Sequence, residues 1–285
     1  MNNSKKRIAV VHLIWLPYGI EIFKCFIDSY KKHEPGFNHS LYFIFNGMEN
    51  EEDIKPYQKY ADELNVVYNT LTLKKGQDIE AYYWAASQIL CDYLFFLNSF
   101  SVIKSDLWLS KYVNAFKYDT GIISATGSFQ SHYSLVFQNN KWRYEFSNSF
   151  SYNFRKYKLF LKAFFYWRFL FKPFPNPHIR TTAFLIRKDT FLFIKKPAMK
   201  SKMDAYSFES GRNSLTNQLL KRRLKTLLID KDGNTYEPHE WNLSKIFWNA
   251  NQENLIISDN QTRIYDSASS EKKTIMTLSA WTYNA

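Results

Sequence analysis

The stretch Cys91-Asp92-Tyr93-Leu94-Phe95-Phe96-Leu97-Asn98-Ser99-Phe100-Ser101 decides the fold. Its apolar part, Tyr93–Leu97, is short, aromatic and uninterrupted, which is typical of a strand buried on both faces of a parallel sheet. The polar residues Asn98–Ser101 follow at once. Because ligands of open α/β sheets bind beyond the carboxyl ends of the strands, this stretch predicts a binding site.

Strands and helices are predicted to alternate on both sides of this stretch. The other strands of the first part are Ile8–Leu16, Leu41–Phe45, Asn65–Leu71 and Gly121–Ala125. The helices between them are Ile20–Lys32, Ile54–Leu64, Asp78–Leu90 and Asp106–Phe116. This alternation predicts an α/β protein with a doubly wound, mostly parallel sheet flanked by helices.

After Phe129 the pattern is less regular. Further strands are predicted at Ile179–Ile186, Leu224–Ile229 and Leu255–Ile257, and helices at Asp189–Ile194, Ser207–Lys221 and Glu237–Phe247. Phe137–Phe150 has no clear period and predicts a loop or lid. Ile275–Tyr283 predicts a last strand or a docking segment.

Composition and charge indicate a globular protein with an anionic partner. Of the 285 residues 45% are hydrophobic and 22% charged, and the net charge is +12. A phosphorylated substrate or an anionic membrane surface fits this charge. We expect no nucleic-acid partner, because no nucleic-acid-binding motif occurs.

Two features predict a cytoplasmic location. Cys25 and Cys91 lie within apolar patterns and are expected to be buried, reduced thiols. Ile8–Leu16 is interrupted by His12 and stops at Pro17, so it predicts a strand and not a signal peptide. No apolar run reaches the roughly 18–20 residues that span a bilayer.

The segment Arg155–Lys172 predicts a helix with two contrasting sides. Its basic residues fall on one arc of a helical wheel, opposite most of its aromatic residues. Such a helix either lies in a membrane interface, which would place the protein peripherally on the inner face of a membrane, or packs on the sheet with solvated lysines. The wheel leaves both alternatives open, because Leu161, Phe165 and Phe169 fall on the basic side.

The motifs of several classes of enzyme and metal site do not occur in the sequence. There is no Gly-x-Ser-x-Gly elbow, no zinc-ligand spacing and no glycine-rich phosphate-binding fingerprint. Polar clusters instead follow four predicted strands, at Trp15–Gly19, Asn46-Gly47, Asn98–Ser101 and Thr126–Ser128. In a doubly wound sheet these ends converge on one crevice.

Residues Ile8 to Ser128 resemble the nucleotide-sugar-binding half of GT-A glycosyltransferases, especially the family-2-like inverting enzymes. In that family a helix that opens from a glycine-containing loop leads into a strand that ends in Asp-x-Asp. Here Lys75-Gly76-Gln77-Asp78, a helix containing Ala85-Ala86, and the strand Leu94–Leu97 follow in the same order.

The resemblance extends over most of the chain. The segment Pro177–Arg187 looks like the strand that carries acceptor contacts, and Ser207-Phe208-Glu209-Ser210 looks like the place of the acidic base. The resemblance implies one GT-A-like domain over 1–285, with a nucleotide-sugar-binding half, 1–128, and an acceptor-side half, 129–285.

The chain departs from the family at Asn98-Ser99-Phe100, which occupies the Asp-x-Asp position. The family's acids hold a divalent cation against the donor diphosphate, and hard cations prefer carboxylate oxygens. We therefore expect no metal cofactor and weak or no dependence on Mg²⁺ or Mn²⁺, although Asp204 or Asp259 could supply a ligand. The arginines that could stabilise the diphosphate instead are Arg180, Arg187, Arg212 and Arg263.

The resemblance also implies roles for single residues. Glu209 is the expected base, at the start of a predicted helix whose dipole would favour its ionised form; otherwise it is an ordinary first-turn residue. The expected donor-binding residues are Trp15, Asn46, Asp78, Asn98, Ser99 and Ser101. The expected acceptor- or phosphate-binding residues are His178, Arg180, Arg212, Asp259 and Arg263, of which Arg212 is otherwise a surface arginine, and Asp259–Arg263 otherwise a plain loop.

Two functions of different classes are consistent with these residues. The first is an inverting transfer of a sugar from a nucleotide-sugar donor to a glycan or lipid-linked acceptor, in polysaccharide biosynthesis. The second is a degenerate, non-catalytic relative that binds a glycan or a partner protein. A different nucleotide-dependent transferase is disfavoured by the missing glycine-rich loop.

Overall fold

The computed structural model describes residues 6–74, 76–138 and 149–282. Its strands are β1 Ile8–Trp15, β2 Ser40–Asn46, β3 Asn69–Leu73, β4 Tyr93–Leu97, β5 Val102–Ile103, β6 Thr120–Ser124, β7 Gly127–Ser128, β8 His178–Ile179, β9 Ala183–Arg187, β10 Lys225–Ile229, β11 Thr235–Tyr236 and β12 Ile257–Ser258. Its α-helices are α1 Ile20–Lys32, α2 Lys55–Glu63, α3 Asp78–Gln88, α4 Trp108–Ala115, α5 His132–Gln138, α6 Phe150–Lys162, α7 Lys188–Phe193, α8 Lys202–Ser210, α9 Leu215–Lys221, α10 Asn260–Asp266 and α11 Ser270–Trp281.

Eight of the strands form one mixed sheet, in the order β11-β10-β6-β9-β4-β1-β2-β3. β1, β2, β3, β4, β6 and β10 run in one direction, and β9 and β11 run against them. The prediction of an α/β protein with a mostly parallel sheet flanked by helices is confirmed. Two-stranded pairs β5–β12 and β7–β8 lie outside this sheet.

The strand β4 is buried on both faces, as its apolar run predicts. Leu94 and Phe96 point into the core layer that contains Tyr82 of α3, and Phe95 and Leu97 point into the layer that contains Trp108 of α4. All four strand residues have no accessible surface. A strand without a polar face must lie inside a sheet with helices on both sides.

The antiparallel strand β9 brings a polar turn to the carboxyl ends of the parallel strands. Its first residue, Ala183, pairs with Leu97, the last residue of β4. The backbone N–H of Asn98 donates to the carbonyl of Thr182 at 2.8 Å. β9 therefore begins at the edge where β1, β2, β4 and β6 end.

The region around Glu209 differs from the prediction of one helix over Ser207–Lys221. Two helices are present, α8 and α9, because Gly211 ends the first and the side chain of Ser214 caps the second by accepting from the Asn217 N–H. A capping box of Ser201 and Asp204 starts α8. Glu209 thus lies in the last turn of a helix and not in the first.

Three other predicted elements are wrong in type or extent. Of the two alternatives for Ile275–Tyr283, a last strand or a docking segment, the strand is wrong: the segment lies mostly in the helix α11, whose cap Ser269 accepts from the Lys272 N–H, while Tyr283 lies outside the described residues. Glu237–Phe247 contains only a 3-10 turn at Trp241–Leu243. The predicted strand Ile179–Ile186 is split into β8 and β9 by the turn at 180–182.

Smaller differences concern helix ends and thiols. Gln77 caps α3 in a capping box with Glu80, so Asp78 is the first helical residue and not the cap. Both cysteines are free; Cys91 is buried, but Cys25 is exposed on α1. Of the predicted loop or lid, 139–148 lies outside the described residues.

The predicted helix Arg155–Lys172 starts earlier and changes its winding. α6 begins at Phe150, a π-helical turn follows at Ala163–Trp167, and a last helical turn spans Arg168–Leu170. The wider π turn rotates the later side chains relative to an α-helical wheel. Aromatic and basic residues are exposed together both before this turn, as at Tyr157 and Lys158, and after it, as at Arg168 and Phe169. No helix in the described parts of the chain has the length and hydropathy to cross a membrane.

Candidate functional site

A cleft of about 380 Å³ lies beyond the carboxyl ends of β1 and β4. Its walls are formed by Tyr18, Asp78, Asn98, Ser99, Phe100, Gln130, His132, Leu135, His178, Arg180, Tyr206, Glu209, Ser210, Phe247, Trp248, Asn260 and Gln261. Acids, imidazoles, amides and aromatic rings therefore face one space. Its volume lies in the usual range of small-molecule sites.

The floor of the cleft is the turn that follows β4. Asn98 Oδ1 accepts from the Phe100 N–H at 3.1 Å and from the Ser101 hydroxyl at 3.0 Å. Ser99 Oγ accepts from the Trp15 N–H at 3.0 Å. These oxygens already accept hydrogen bonds within the protein. Asn98 and Ser99 therefore offer a ligand hydrogen-bond donors, namely the amide Nδ2 and the hydroxyl hydrogen.

Glu209 is held in one wall by the turn before β9. Its Oε2 accepts from the backbone N–H of Thr181 at 2.8 Å and from the Thr181 hydroxyl at 2.7 Å. The prediction that a helix N-terminus stabilises the Glu209 carboxylate is wrong. Glu209 lies at the carboxyl end of α8, which disfavours a negative charge. The two donated hydrogen bonds of Thr181 stabilise the carboxylate instead.

Two histidines line the same wall. His178 Nδ1 lies 2.8 Å from the Asn176 carbonyl, which assigns the hydrogen to Nδ1 and leaves Nε2 as an acceptor. Burial lowers the pKa of His178, while the charge of Glu209 acts in the opposite direction. Burial and the neighbouring His178 lower the pKa of His132. Burial therefore favours the neutral form of both imidazoles, against the charge of Glu209.

Asp78 is a second carboxylate in the cleft. It is the first residue of α3, and solvent reaches it through the cleft mouth. Protein still surrounds it on most sides, and this burial, together with the charge of Glu209, raises the pKa of Asp78 against a backbone hydrogen bond that lowers it. Tyr18 lies nearby, with its ring centroid 4.7 Å from that of Phe100.

Arg180, next to Thr181 in the chain, lines the cleft and belongs to a buried ion pair. Arg180 Nη1 lies 2.8 Å from Asp259 Oδ2, and the two side chains are 11% and 3% exposed. The guanidinium also lies 4.4 Å from the ring centroid of Phe247. The charge of Arg180 is thus already balanced by Asp259, whose other oxygen caps α10 by accepting from the Thr262 N–H at 2.9 Å.

The structure brings half of the expected site residues together in the cleft: Asp78, Asn98, Ser99, His178, Arg180 and Glu209. Four others do not line the cleft but bond to residues that do: Trp15 to Ser99, Ser101 to Asn98, Asp259 to Arg180, and the exposed Arg263 to the Phe100 carbonyl at 3.0 Å.

The remaining two expected residues have other contacts. Asn46 is buried and its Nδ2 donates to the Gly76 carbonyl at 2.8 Å, beside the start of α3. Arg212 does not line the cleft; its Nε donates to the Arg168 carbonyl at 3.0 Å. Arg187 lies over the Phe116 ring, at the amino end of β4.

Several cleft residues were not predicted from the sequence. Tyr18 lies inside a polar cluster that the sequence does reveal, and Thr181 lies in the segment singled out for acceptor contacts. His132, Tyr206, Phe247 and Trp248 come from loops and helix ends distant in sequence, and only the fold brings them to the cleft.

These residues do not form a site for a divalent cation. Among the described residues no group of three histidines, cysteines or acids lies close enough to share a metal ion. The turn after β4 offers amide and hydroxyl groups, and Asp259 is engaged by Arg180 and Thr262. Hard cations need several oxygen ligands with negative charge among them.

Comparisons with known proteins were made for the whole chain. No family model and no curated protein matches it. Among solved structures, the chain is similar to the apo form of the glycosyltransferase GlyE in Streptococcus pneumoniae TIGR4, with 15% identity, a TM-score of 0.39, and coverage of 78% of this chain and 45% of that chain.

Two other solved structures show similarity over shorter parts of the chain. S. aureus TarS 1-349 in complex with UDP-GlcNAc has 13% identity and a TM-score of 0.33, with 41% of this chain and 33% of that chain covered. The mannosyltransferase PcManGT from Pyrobaculum calidifontis, in complex with GDP-Man and Mn²⁺, has 7% identity and a TM-score of 0.35, with 48% and 39% covered.

The chain spans less than half the length of each of these structures. Because every TM-score is below 0.5, these similarities carry no weight in assigning an activity. These neighbours are glycosyltransferases. For this chain itself, the structure shows the central mixed α/β sheet.

Proposed function

We propose that this chain is an inverting glycosyltransferase of the GT-A type, which moves a sugar from a nucleotide-sugar donor to a hydroxyl group of a glycan or lipid-linked acceptor. The observation that carries the proposal is the Glu209 carboxylate, held by two hydrogen bonds from Thr181 in a cleft beyond the parallel strands. The two free cysteines support a cytoplasmic site of action.

In the proposed reaction Glu209 acts as the general base. Its carboxylate takes the proton of the acceptor hydroxyl while that oxygen attacks the anomeric carbon of the donor sugar. The bond between this carbon and the diphosphate oxygen breaks, and the nucleoside diphosphate leaves with the electron pair. Because Thr181 donates to one oxygen only, the other oxygen of Glu209 is available for the proton.

Other residues of the cleft supply groups that can bind the nucleotide-sugar donor. Asn98 Nδ2 and the Ser99 hydroxyl can donate to ribose or phosphate oxygens, and the paired rings of Tyr18 and Phe100 give a stacking surface for a base or sugar. Arg263, exposed at the rim beside Phe100, is the cation we assign to the leaving diphosphate.

The proposal is tested by assaying transfer and donor hydrolysis with UDP-, GDP- and CMP-sugars, with EDTA or Mg²⁺ present. We expect turnover with at least one donor, a loss of about 10²–10⁴-fold in Glu209→Gln, and little change on addition of EDTA. Nucleotide binding should survive in Glu209→Gln. Absence of turnover and of nucleotide binding with every donor would rule the proposal out.

A non-catalytic glycan-binding protein is the second candidate. The observation that favours it is the turn Asn98-Ser99-Phe100, which presents no carboxylate at the end of β4. The aromatic walls of the cleft would suit a sugar face. Calorimetry with UDP, GDP and CMP separates the two, because a glycan-binding protein without a donor site would bind none of these nucleotides.

A further inference from the structure

The surface formed by residues 150–172 exposes aromatic and basic residues together. The exposed rings of α6 and the turns after it are Phe150, Phe154, Tyr157, Phe165, Tyr166 and Phe169. Phe165 is 58% and Phe169 is 77% exposed. A cluster of large exposed rings marks an interaction surface, since water-facing apolar patches of this kind are uncommon on proteins that act alone.

The same region has a concentration of positive charge. Its exposed or half-exposed cations are Arg155, Lys158, Arg168, Lys172, Arg212 and Lys221. None of them forms an ion pair within the described residues, and the sequence has no acidic residue from 146 to 188. We refer to these six rings and six cations as the basic aromatic face.

The last helical turn after α6, Arg168–Leu170, contacts the connection between α8 and α9. Arg212 donates to the Arg168 carbonyl through Nε, and its backbone N–H donates to the Leu170 carbonyl at 2.7 Å. Lys172 lies within reach of the charges of Arg212 and Lys221, which together with burial lower the pKa of Lys172. Arg168 and Lys172 thus lie close to two further cations, Arg212 in the connection between α8 and α9 and Lys221 at the end of α9.

The basic aromatic face adjoins the cleft. The ring of His132, which lines the cleft, lies 4.9 Å from the ring of Phe171, the buried neighbour of Lys172 of the face, and 4.7 Å from Tyr206 of the cleft wall. Whatever covers the face therefore lies beside the cleft.

We propose that the basic aromatic face binds the surface of an anionic lipid bilayer. The rings enter the boundary between headgroups and acyl chains, and the long basic side chains reach the lipid phosphates. This arrangement places the cleft next to the bilayer surface. The inference is independent of glycosyl transfer, because lipid binding needs no donor.

Charge decides between a bilayer and a second copy of the chain. In a symmetric dimer each face would meet its own equivalent, so six unpaired cations would oppose six others. Like charges brought together repel, whereas phospholipid phosphates neutralise them. The anionic bilayer is therefore the occupant that the face fits.

The test is co-sedimentation of the full chain with large unilamellar vesicles, either of phosphatidylcholine alone or with 30% phosphatidylglycerol. We expect binding to the anionic vesicles, little binding to neutral ones, and a marked decrease at roughly 0.5 M salt. Lys158→Glu with Lys221→Glu should weaken binding about tenfold or more. Phe165→Ser with Phe169→Ser should also weaken binding to the vesicles, both at low salt and at roughly 0.5 M salt.

The matched control reverses two charges elsewhere. Lys59 of α2 and Lys104 after β5 are exposed on the α1 side of the sheet, and Lys59→Glu with Lys104→Glu gives the same net charge. We expect it to retain most of the binding. The proposal is overturned if this control weakens binding as much as the face variants do, if anionic vesicles do not bind, or if ultracentrifugation shows a dimer that the face variants dissociate.

Discussion

Thr181 is the residue on which the candidate base depends. It donates to Glu209 Oε2 through its backbone N–H and its hydroxyl, and both bonds are shorter than 3 Å. A hydrogen bond to a charged group contributes about 1.5–3 kcal/mol. The wall of the cleft is thus arranged for an ionised carboxylate at the carboxyl end of a helix.

Thr181→Val tests this arrangement, since it removes the hydroxyl and leaves the N–H. We expect turnover at pH 7 to fall about tenfold, because the carboxylate loses one of two donors and its fixed position. The neighbouring Thr182→Val is the matched control, because the Thr182 hydroxyl contacts Thr126 and not Glu209. Equal activity of the two variants would contradict the assignment.

We expect the buried His12 side chain to make the free energy of unfolding depend on pH. Its ring lies in β1, stacked 3.7 Å from Phe26, and neither ring nitrogen has a partner among the described residues. Burial lowers the pKa of His12 to about 3. Between about pH 6.5 and pH 3 the unfolded chain therefore binds a proton at this site that the folded chain does not, so stability falls as the pH falls.

We expect this single site to lower the free energy of unfolding by about 2 kcal/mol between pH 7.5 and pH 5. His12→Phe should lose that part of the pH dependence, whatever its stability at pH 7.5. Urea unfolding of both proteins at the two pH values measures the difference, with exposed His239→Gln as control. An unchanged pH dependence in His12→Phe would show that His12 is not the origin.

At the scale of single elements, Gly211 separates α8 from α9 and thereby sets the position of Glu209. A Cβ at this position would overlap the carbonyl oxygen of Ser207 in the last turn of α8. Gly211 also forms an isolated bridge with Phe171. A side chain here would force the turn that contains Glu209 to move.

Gly211→Ala should therefore lower the free energy of unfolding by about 1–3 kcal/mol and reduce turnover as well. Asn213→Ala, two residues on and exposed, should change neither to a comparable extent. Urea unfolding and the transfer assay measure the two effects. Full activity in Gly211→Ala would indicate that the last turn of α8 tolerates the shift.

How much of each element could be predicted depends on what determines it. The strand Tyr93–Leu97 was predicted with its true bounds, because an apolar run with a polar end depends only on local sequence. The break at Gly211 and the helix α11 were missed, since their apolar residues have no clean period and their caps are single side chains. The antiparallel direction of β9 could not be predicted, because nothing local encodes it.

The residues of the candidate site also divide into those that local sequence reveals and those that only tertiary contacts bring together. Asn98, Ser99, Asp78 and Glu209 follow from polar residues beside recognisable elements. Phe247 and Trp248 do not, because a loop enters the cleft only through its tertiary contacts, such as the Trp248 Nε1–H donated to the Gln261 carbonyl at 3.1 Å.

At the scale of the whole molecule, the pair Arg180–Asp259 joins the turn before β9 to the start of α10. Asp259→Asn keeps a capping oxygen for Thr262 but leaves Arg180 buried without a counter-charge. We expect a loss of about 3 kcal/mol in the free energy of unfolding. The exposed pair Arg7–Asp92 is the control, and Asp92→Asn should have a much smaller effect in the same urea experiment.

The central position of β9 also has a consequence for synthesis of the chain. β4 and β6 do not pair with each other; each pairs with β9, which lies some sixty or more residues later in the sequence. A nascent chain that ends at residue 128 would therefore carry the unpaired edges of β4 and β6, which are prone to aggregation. The ribosome must add residues 183–187 before the middle of the sheet can close.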